Sequence, residues 1–372
     1  MPCRVVQSFG LGISGLGIPA ASARQTADMA AERNLQPVEH RPEAARGGGA
    51  PGVEGGRVEA DRVKGGGQRG RGHRGGHRQM RQVHGLAQLA RAAVMRDQHA
   101  RRARREGGQC GEIPLTASGD LDLERVPPAS AGQAALVAVT HVNNETGAIA
   151  DLARFRVWMQ EYAPRAVLVV DAAQSFGRQR IPWQTAQIDA LVVSARKIGG
   201  PAGVAALVVR RGLRLEPVLY GGGQQGNLRS GTVDVVGVVE AGQAARLVAA
   251  GREAEAARIG TLNAFLRQRL GAWTCPALRL LSPPGASPWI LTFAVPGYEG
   301  AILMRLLAER GIVVATGSAC SAESGKTSHV LRAMGVPDAL ARCVLRVSFG
   351  RHTTAECLEV FLHGLRQVVD AY

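Results

Sequence analysis

The sequence predicts an α/β fold: a mostly parallel sheet with helices on both faces, followed by a smaller α+β domain. Three observations predict it. Short β-branched runs recur between residues 134 and 212, and they end in polar residues. Helix-like stretches lie between them. After Gly223 the order changes to one long helical stretch followed by more widely spaced strands. Strands alternating with helices point to parallel pairing, with the helices serving as crossovers.

The elements follow in order. AALVAVTHV (134–142) reads as a strand ending beside Asn143 and Asn144. DLARFRVWMQEYA (151–163) reads as a helix. RAVLVVDAAQ (165–174) is a second strand, closing on Asp171 and Gln174, and IDALVVSARK (188–197) a third, closing on Ser194 and Lys197. AGVAALVVRRG (202–212) is a fourth. Ligands bind beyond the carboxyl ends of strands in such sheets, so these polar residues fall where a site is expected. Residues 233–273 are helix-rich. Strand-like WILTFAVPG (289–297), helical EGAILMRLLAERG (299–311), strand-like GIVVATG (311–317) and LRVSFG (345–350) complete the second unit. A helix begins near Thr353, where Thr353 and Glu356 stand at capping-box spacing.

The 372 residues suit two or three domains at ~100–200 residues each. A hydrophobic share of 45% is enough for a sizeable core. No run of ~18 apolar residues is present, which excludes a membrane-spanning helix. The opening residues have too weak an apolar stretch for a signal peptide. Six scattered cysteines read as thiols of the reducing cytoplasm, and no metal site is expected. The net charge of +15 is uneven. Residues 1–110 hold 19 basic and 9 acidic side chains, 20 glycines and one aromatic residue, Phe9. That segment buries too little apolar surface to order itself and lacks aromatic stacking partners for RNA, so nucleic acid is not an expected partner. Its Gly/Arg-rich texture reads as disordered, or as translation out of frame.

Only three lysines exist, Lys64, Lys197 and Lys326. A lysine at the end of an apolar strand can be partly desolvated, which lowers its pKa and suits it to Schiff-base chemistry. Asp171 ends a strand 26 residues earlier. Pyridoxal phosphate enzymes set an Asp against the pyridine nitrogen so that the ring can act as an electron sink. Gln174 could reach the phenolic oxygen or the phosphate side, and Ser194, Arg196 and Thr232 offer phosphate donors.

The motifs HVNNETG, VDAAQSFG, SARKIGG, NLRSGT, ATGSACSAES and LRVSFGRHTT occur in that order between Glu112 and Tyr372. Together they resemble cysteine desulfurases of the NifS/IscS type, class V members of the pyridoxal-phosphate-dependent aminotransferase fold (fold type I). The resemblance implies a large cofactor-binding domain over 111–245 and a small C-terminal domain over 246–372 carrying a catalytic cysteine loop. It implies pyridoxal 5'-phosphate held covalently by Lys197, its ring nitrogen facing Asp171. Asn144 and Gln174 would contact ring substituents, and Ser194 the phosphate. Thr232 would reach the phosphate of a neighbouring subunit, which implies a homodimer. Arg346 would clamp the carboxylate of L-cysteine through its fork. Cys320 would take the sulfur as a persulfide, leaving L-alanine and passing sulfur to an iron–sulfur scaffold or a tRNA thiolation protein.

The sequence departs from this pattern twice. Arg196 stands where the family has a histidine before the lysine. Residues 1–110 lack the family's glycine-threonine phosphate loop and its ring-stacking histidine. One set of codons for Gln36–His40, read one base later, gives Asn-Pro-Ser-Ser, a segment the family carries near its start. The alternatives are an inactive or truncated member, or another class V lyase or aminotransferase such as a selenocysteine lyase. CSAESGKTSHVLRAMG (320–335) approaches a phosphate-binding loop, but that motif requires a glycine where Cys320 sits.

Overall fold

A computed structural model describes residues 3–9, 109–217, 219–274, 276–317 and 327–371. Residues 10–108 and the segment 318–326, which contains Cys320 and Lys326, lie outside the described residues. After a short helix α1 (Pro128–Gly132), strands β2 (Leu136–Thr140), β3 (Val167–Asp171) and β4 (Ala190–Ser194) pair in parallel. Helix α2 (Leu152–Tyr162) makes the crossover from β2 to β3. The Asp151 carboxylate caps it, accepting the Ala153 and Arg154 N–H groups at 3.0 Å each. Leu152, Phe155 and Met159 recur at helical spacing and are its buried face.

β5 (Val204–Arg210) turns back antiparallel to β4. The nine residues between Ser194 and Val204 are too few for a parallel crossover, which needs about a dozen or more. The far edge of β5 pairs with β1 (Cys3–Phe9), giving the order β1-β5-β4-β3-β2. The segment 1–110 was expected to lack order, and this strand is its described exception. The open edge of β5 offers unpaired backbone groups that any extended segment can satisfy. The Asp189 carboxylate braces the sheet, accepting the Leu168 N–H at 2.8 Å and Arg210 Nε at 2.6 Å.

Leu168, Val170, Leu191 and Val208 form one core with Phe155 and Met159. A 37-residue helix, α3 (Val235–Gly271), joins it to a second. Its Ala244 and Ala245 pack with the first core, whereas Ile259, Leu266 and Leu270 pack with the second. The expected boundary after residue 245 therefore falls inside a continuous helix.

The second core is built on an antiparallel sheet of β6 (Arg279–Leu280), β7 (Ile290–Ala294) and β8 (Val344–Ser348). Helices α4 (Gly300–Ala308), α5 (His329–Ala333), α6 (Asp338–Ala341) and α7 (Ala355–Ala371) complete the unit. Phe293 of β7 meets Phe361 of α7 edge to face, with centroids 6.4 Å apart.

Two local expectations change. GIVVATG forms no strand but a single bridge from Ala315 to Arg346; Val313 faces solvent, and Gly317 at φ +38° is outside the extended range that a strand needs. The cap of α7 comes from Thr354, whose hydroxyl accepts the Cys357 N–H at 3.3 Å. Thr353 is occupied elsewhere, accepting the Gly350 N–H at 3.0 Å. Among the described residues, no helix is long and apolar enough to cross a membrane.

Candidate active site

Parallel register aligns Thr140, Asp171 and Val192 across the carboxyl edge of the sheet. Asp171 is the last residue of β3 and is buried. Its Oδ1 accepts the Ala173 N–H at 2.8 Å. Burial raises its pKa to about 6, against the opposing pull of that N–H and of Lys197. Lys197 sits in the 3-10 turn Ala195–Ile198 that follows β4. Burial is the main reason its pKa is lowered; the charges of Arg196, Arg178 and Arg346 add to this, and Asp171 opposes.

The remaining sequence candidates divide. Ser194 is buried at the end of β4. Gln174 is half-buried, and its Oε1 accepts from Arg178 Nη1 at 3.2 Å. Arg346 is half-buried on β8, so it reaches the site from the small domain. Its Nη1 donates to the carbonyls of Asn144 at 2.9 Å and Gly317 at 2.8 Å, while its Nε is buried with no partner. Asn144 is exposed and enters this contact through its backbone. Arg196 and Thr232 are also exposed, Thr232 in the loop before α3. Cys320 lies outside the described residues.

Three residues that sequence reasoning passed over belong to this region. Glu145 is buried, and its Oε2 accepts the Ser328 hydroxyl at 2.5 Å. Its carbonyl accepts Thr292 Oγ1 at 2.5 Å, and its charge acts on Arg346. One residue thus joins the strand-end loop to β7 and to the N-cap of α5. His141, just after β2, is buried with Nδ1 unpartnered, and burial lowers its pKa to about 4, so it is neutral at physiological pH. Arg178 donates from Nη2 to the carbonyl of Lys197 at 3.1 Å. The only advance sign of Arg178 was its position four residues after Gln174.

The family described as aminotransferase class-V matches residues 73–361. The chain belongs to the class V aminotransferase family. The match begins upstream of Glu112, where the motifs began. Relatives include a cysteine desulfurase IscS of Photobacterium profundum, 34% identical over 275 residues, covering 73% of this chain and 66% of that one. A cysteine desulfurase of Cereibacter sphaeroides is 36% identical over 269 residues, covering 72% of this chain and 68% of the relative. The chain thus spans about two thirds of the length of these relatives. A solved NifS-like protein from Rickettsia africae superposes with a TM-score of 0.67 at 25% identity, over 75% of this chain and 74% of that one.

Class V aminotransferases depend on pyridoxal phosphate, and the residues present fit that group. A carboxylate as buried as Asp171 calls for a cation, which a protonated ring nitrogen would supply. Lys197 brings an amine, and the positive charges around it suit an anionic cofactor and substrate. The orphaned Nε of Arg346 is a donor that a carboxylate would satisfy.

Proposed function

We propose that this chain is a cysteine desulfurase, releasing L-alanine from L-cysteine and retaining the sulfur on Cys320. What carries the reading is the convergence of Lys197, Asp171 and Arg346 at one sheet edge, with Arg346 also holding Gly317, three residues before Cys320. The relatives named cysteine desulfurases support it. Pyridoxal phosphate, when bound, supplies an electron sink at the substrate α-carbon. Lys197 would hold the cofactor covalently and, with its amine less basic than usual, would take and return a proton at that carbon. Asp171 would keep a proton on the ring nitrogen. Asn144 and Gln174 would contact the ring substituents, and Ser194 and Arg196 would hold the phosphate. Arg346 orients the substrate carboxylate through N–H groups other than Nη1, which is committed to two carbonyls. The Cys320 thiolate attacks the substrate sulfur: an S–S bond forms, the substrate C–S bond breaks, and its electron pair ends in a C–H bond of alanine.

Cys320→Ser is expected to keep cofactor binding while losing sulfur release by at least ~10²-fold, as removal of a nucleophile does. The checks are alanine and sulfide production from L-cysteine and the visible absorbance of the loaded protein. Unchanged sulfur release would overturn the assignment.

The same reading includes a homodimer. Val236 and Val239 on α3 are 70% and 63% exposed, and Leu247 further along the same helix is also exposed. An exposed apolar helix face of this kind suits a two-fold interface. It adjoins a cavity of about 570 Å³ lined by Ile198, Gly199, Val239, Leu247 and Arg351, next to the Lys197 turn. Thr232, just upstream, serves the cofactor phosphate of the second subunit. Val236→Asp is expected to shift sedimentation towards the monomer and to weaken cofactor binding; a dimer with unchanged affinity would count against the shared site. The persulfide acceptor is an iron–sulfur scaffold or a tRNA thiolation protein. The compartment is the reducing cytoplasm, where scattered cysteines stay as thiols.

A further inference from the structure

The loop after β3, which follows Asp171, carries Gln174, the turn after β4 carries Lys197, and one side chain spans them. Arg178 Nη1 donates to Gln174 Oε1 at 3.2 Å, and its Nη2 donates to the Lys197 carbonyl at 3.1 Å. The turn that presents it is held in place. Gly177 adopts φ +69°, and a Cβ there would lie 2.6 Å from Val248 Cγ2 on α3. The turn is thus packed so closely on the helix that position 177 has no room for a side chain. Arg178 N donates to the Ser175 carbonyl at 3.0 Å, which fixes the start of the side chain.

The charges acting on Lys197 are those of Arg196, Arg178, Arg346 and Asp171. Arg196 is exposed, where water and salt screen it. Arg346 is tied to Asn144 and Gly317. Arg178 alone among these cations also grips the Lys197 backbone.

We propose that Arg178 is a positioning residue for Lys197: it clamps the lysine turn against Gln174 and holds a permanent positive charge within electrostatic reach of the ε-amine. The geometry carries this independently of which substrate the enzyme takes, although calling Lys197 the cofactor lysine rests on the function proposed above. A lysine could supply the charge but not the two-armed bridge, since only a guanidinium offers two donors in a rigid fork.

The test uses the full-length chain with Arg178→Gln and Arg178→Lys. Lys197 is titrated in the cofactor-free protein by the pH dependence of its acetylation, read by peptide mass spectrometry. Pyridoxal phosphate affinity is measured on the same proteins. Arg178→Gln is expected to raise the Lys197 midpoint by about 0.5 pH unit or more, the effect of losing one nearby charge in a partly solvated site. Arg178→Lys is expected to hold the midpoint near the parent value. Both are expected to weaken cofactor binding by about tenfold, the equivalent of one lost charge-assisted hydrogen bond. If Arg178→Gln fails to fold, the lysine variant still decides: parent-like cofactor affinity in Arg178→Lys would overturn the clamp. An unmoved midpoint in a folded Arg178→Gln would overturn the electrostatic part. A chain that meets both expectations yet releases no sulfur from cysteine would sink the desulfurase reading and leave this one standing.

Discussion

Asp171→Asn will cost the protein its cofactor and, above pH 6, will make the cofactor-free chain more stable. The Asp171 carboxylate is nearly out of water, with the Ala173 N–H as its hydrogen-bond donor. Its pKa rises from 3.8 to about 6 on folding. A carboxyl whose folded pKa is raised binds its proton more tightly in the native state. Its contribution is therefore most favourable below pH ~4 and is lost as pH climbs from ~4 through ~6. Above that range the buried charge costs about 3 kcal/mol, from ~1.4 kcal/mol for each pH unit between the two values. Asparagine keeps the shape and never ionises. Its cofactor-free form should melt several degrees above the parent at pH 8 and close to it at pH 4.5. Removing one partner of a buried charge pair typically costs ~2–5 kcal/mol, so pyridoxal phosphate affinity should fall by ~30-fold or more. Thermal melts at both pH values, with and without pyridoxal phosphate, check both halves. Equal melting temperatures at pH 8 would show that Asp171 is not ionised there without its partner.

Lys197→Ala should abolish the visible band of lysine-bound pyridoxal phosphate and reduce desulfuration by at least ~10³-fold. The substitution removes the covalent attachment point together with a general base, and a positioned base alone contributes ~10²–10⁴-fold. The burial and cationic neighbours that make its amine less basic act at this position. Spectra of parent and variant with added pyridoxal phosphate give the comparison. A surviving lysine-type band would mean that Lys64 or Lys326, the only other lysines, holds the cofactor instead.

Local chemistry made the strands and the residues at their ends legible. β-branched runs stop where Asp171 and Ser194 stop them, because the pleat favours branched side chains and the exit needs polar ones. The scarcity of lysine narrowed the cofactor attachment point before any fold was known. Helix α2 was equally local, since its cap and buried face lie within one short stretch. Capping at α7 was only half legible, because Thr353 and Thr354 compete for the same turn and hydrogen-bond geometry chooses between them.

What the sequence by itself determined, then, is where the polar ends of the strands fall and which chemistry they carry. Only the tertiary structure decided what those ends meet. Glu145 finds Thr292 and Ser328, 147 and 183 residues away in sequence. Arg346 reaches back across 202 residues to the Asn144 carbonyl. No periodicity encodes such partners, because they depend on how two separately packed cores meet along one helix. The burial that changes the acidity of Asp171, His141 and Lys197 arises in the same way. It is a property of the surroundings that the assembled chain creates, not of the residues themselves.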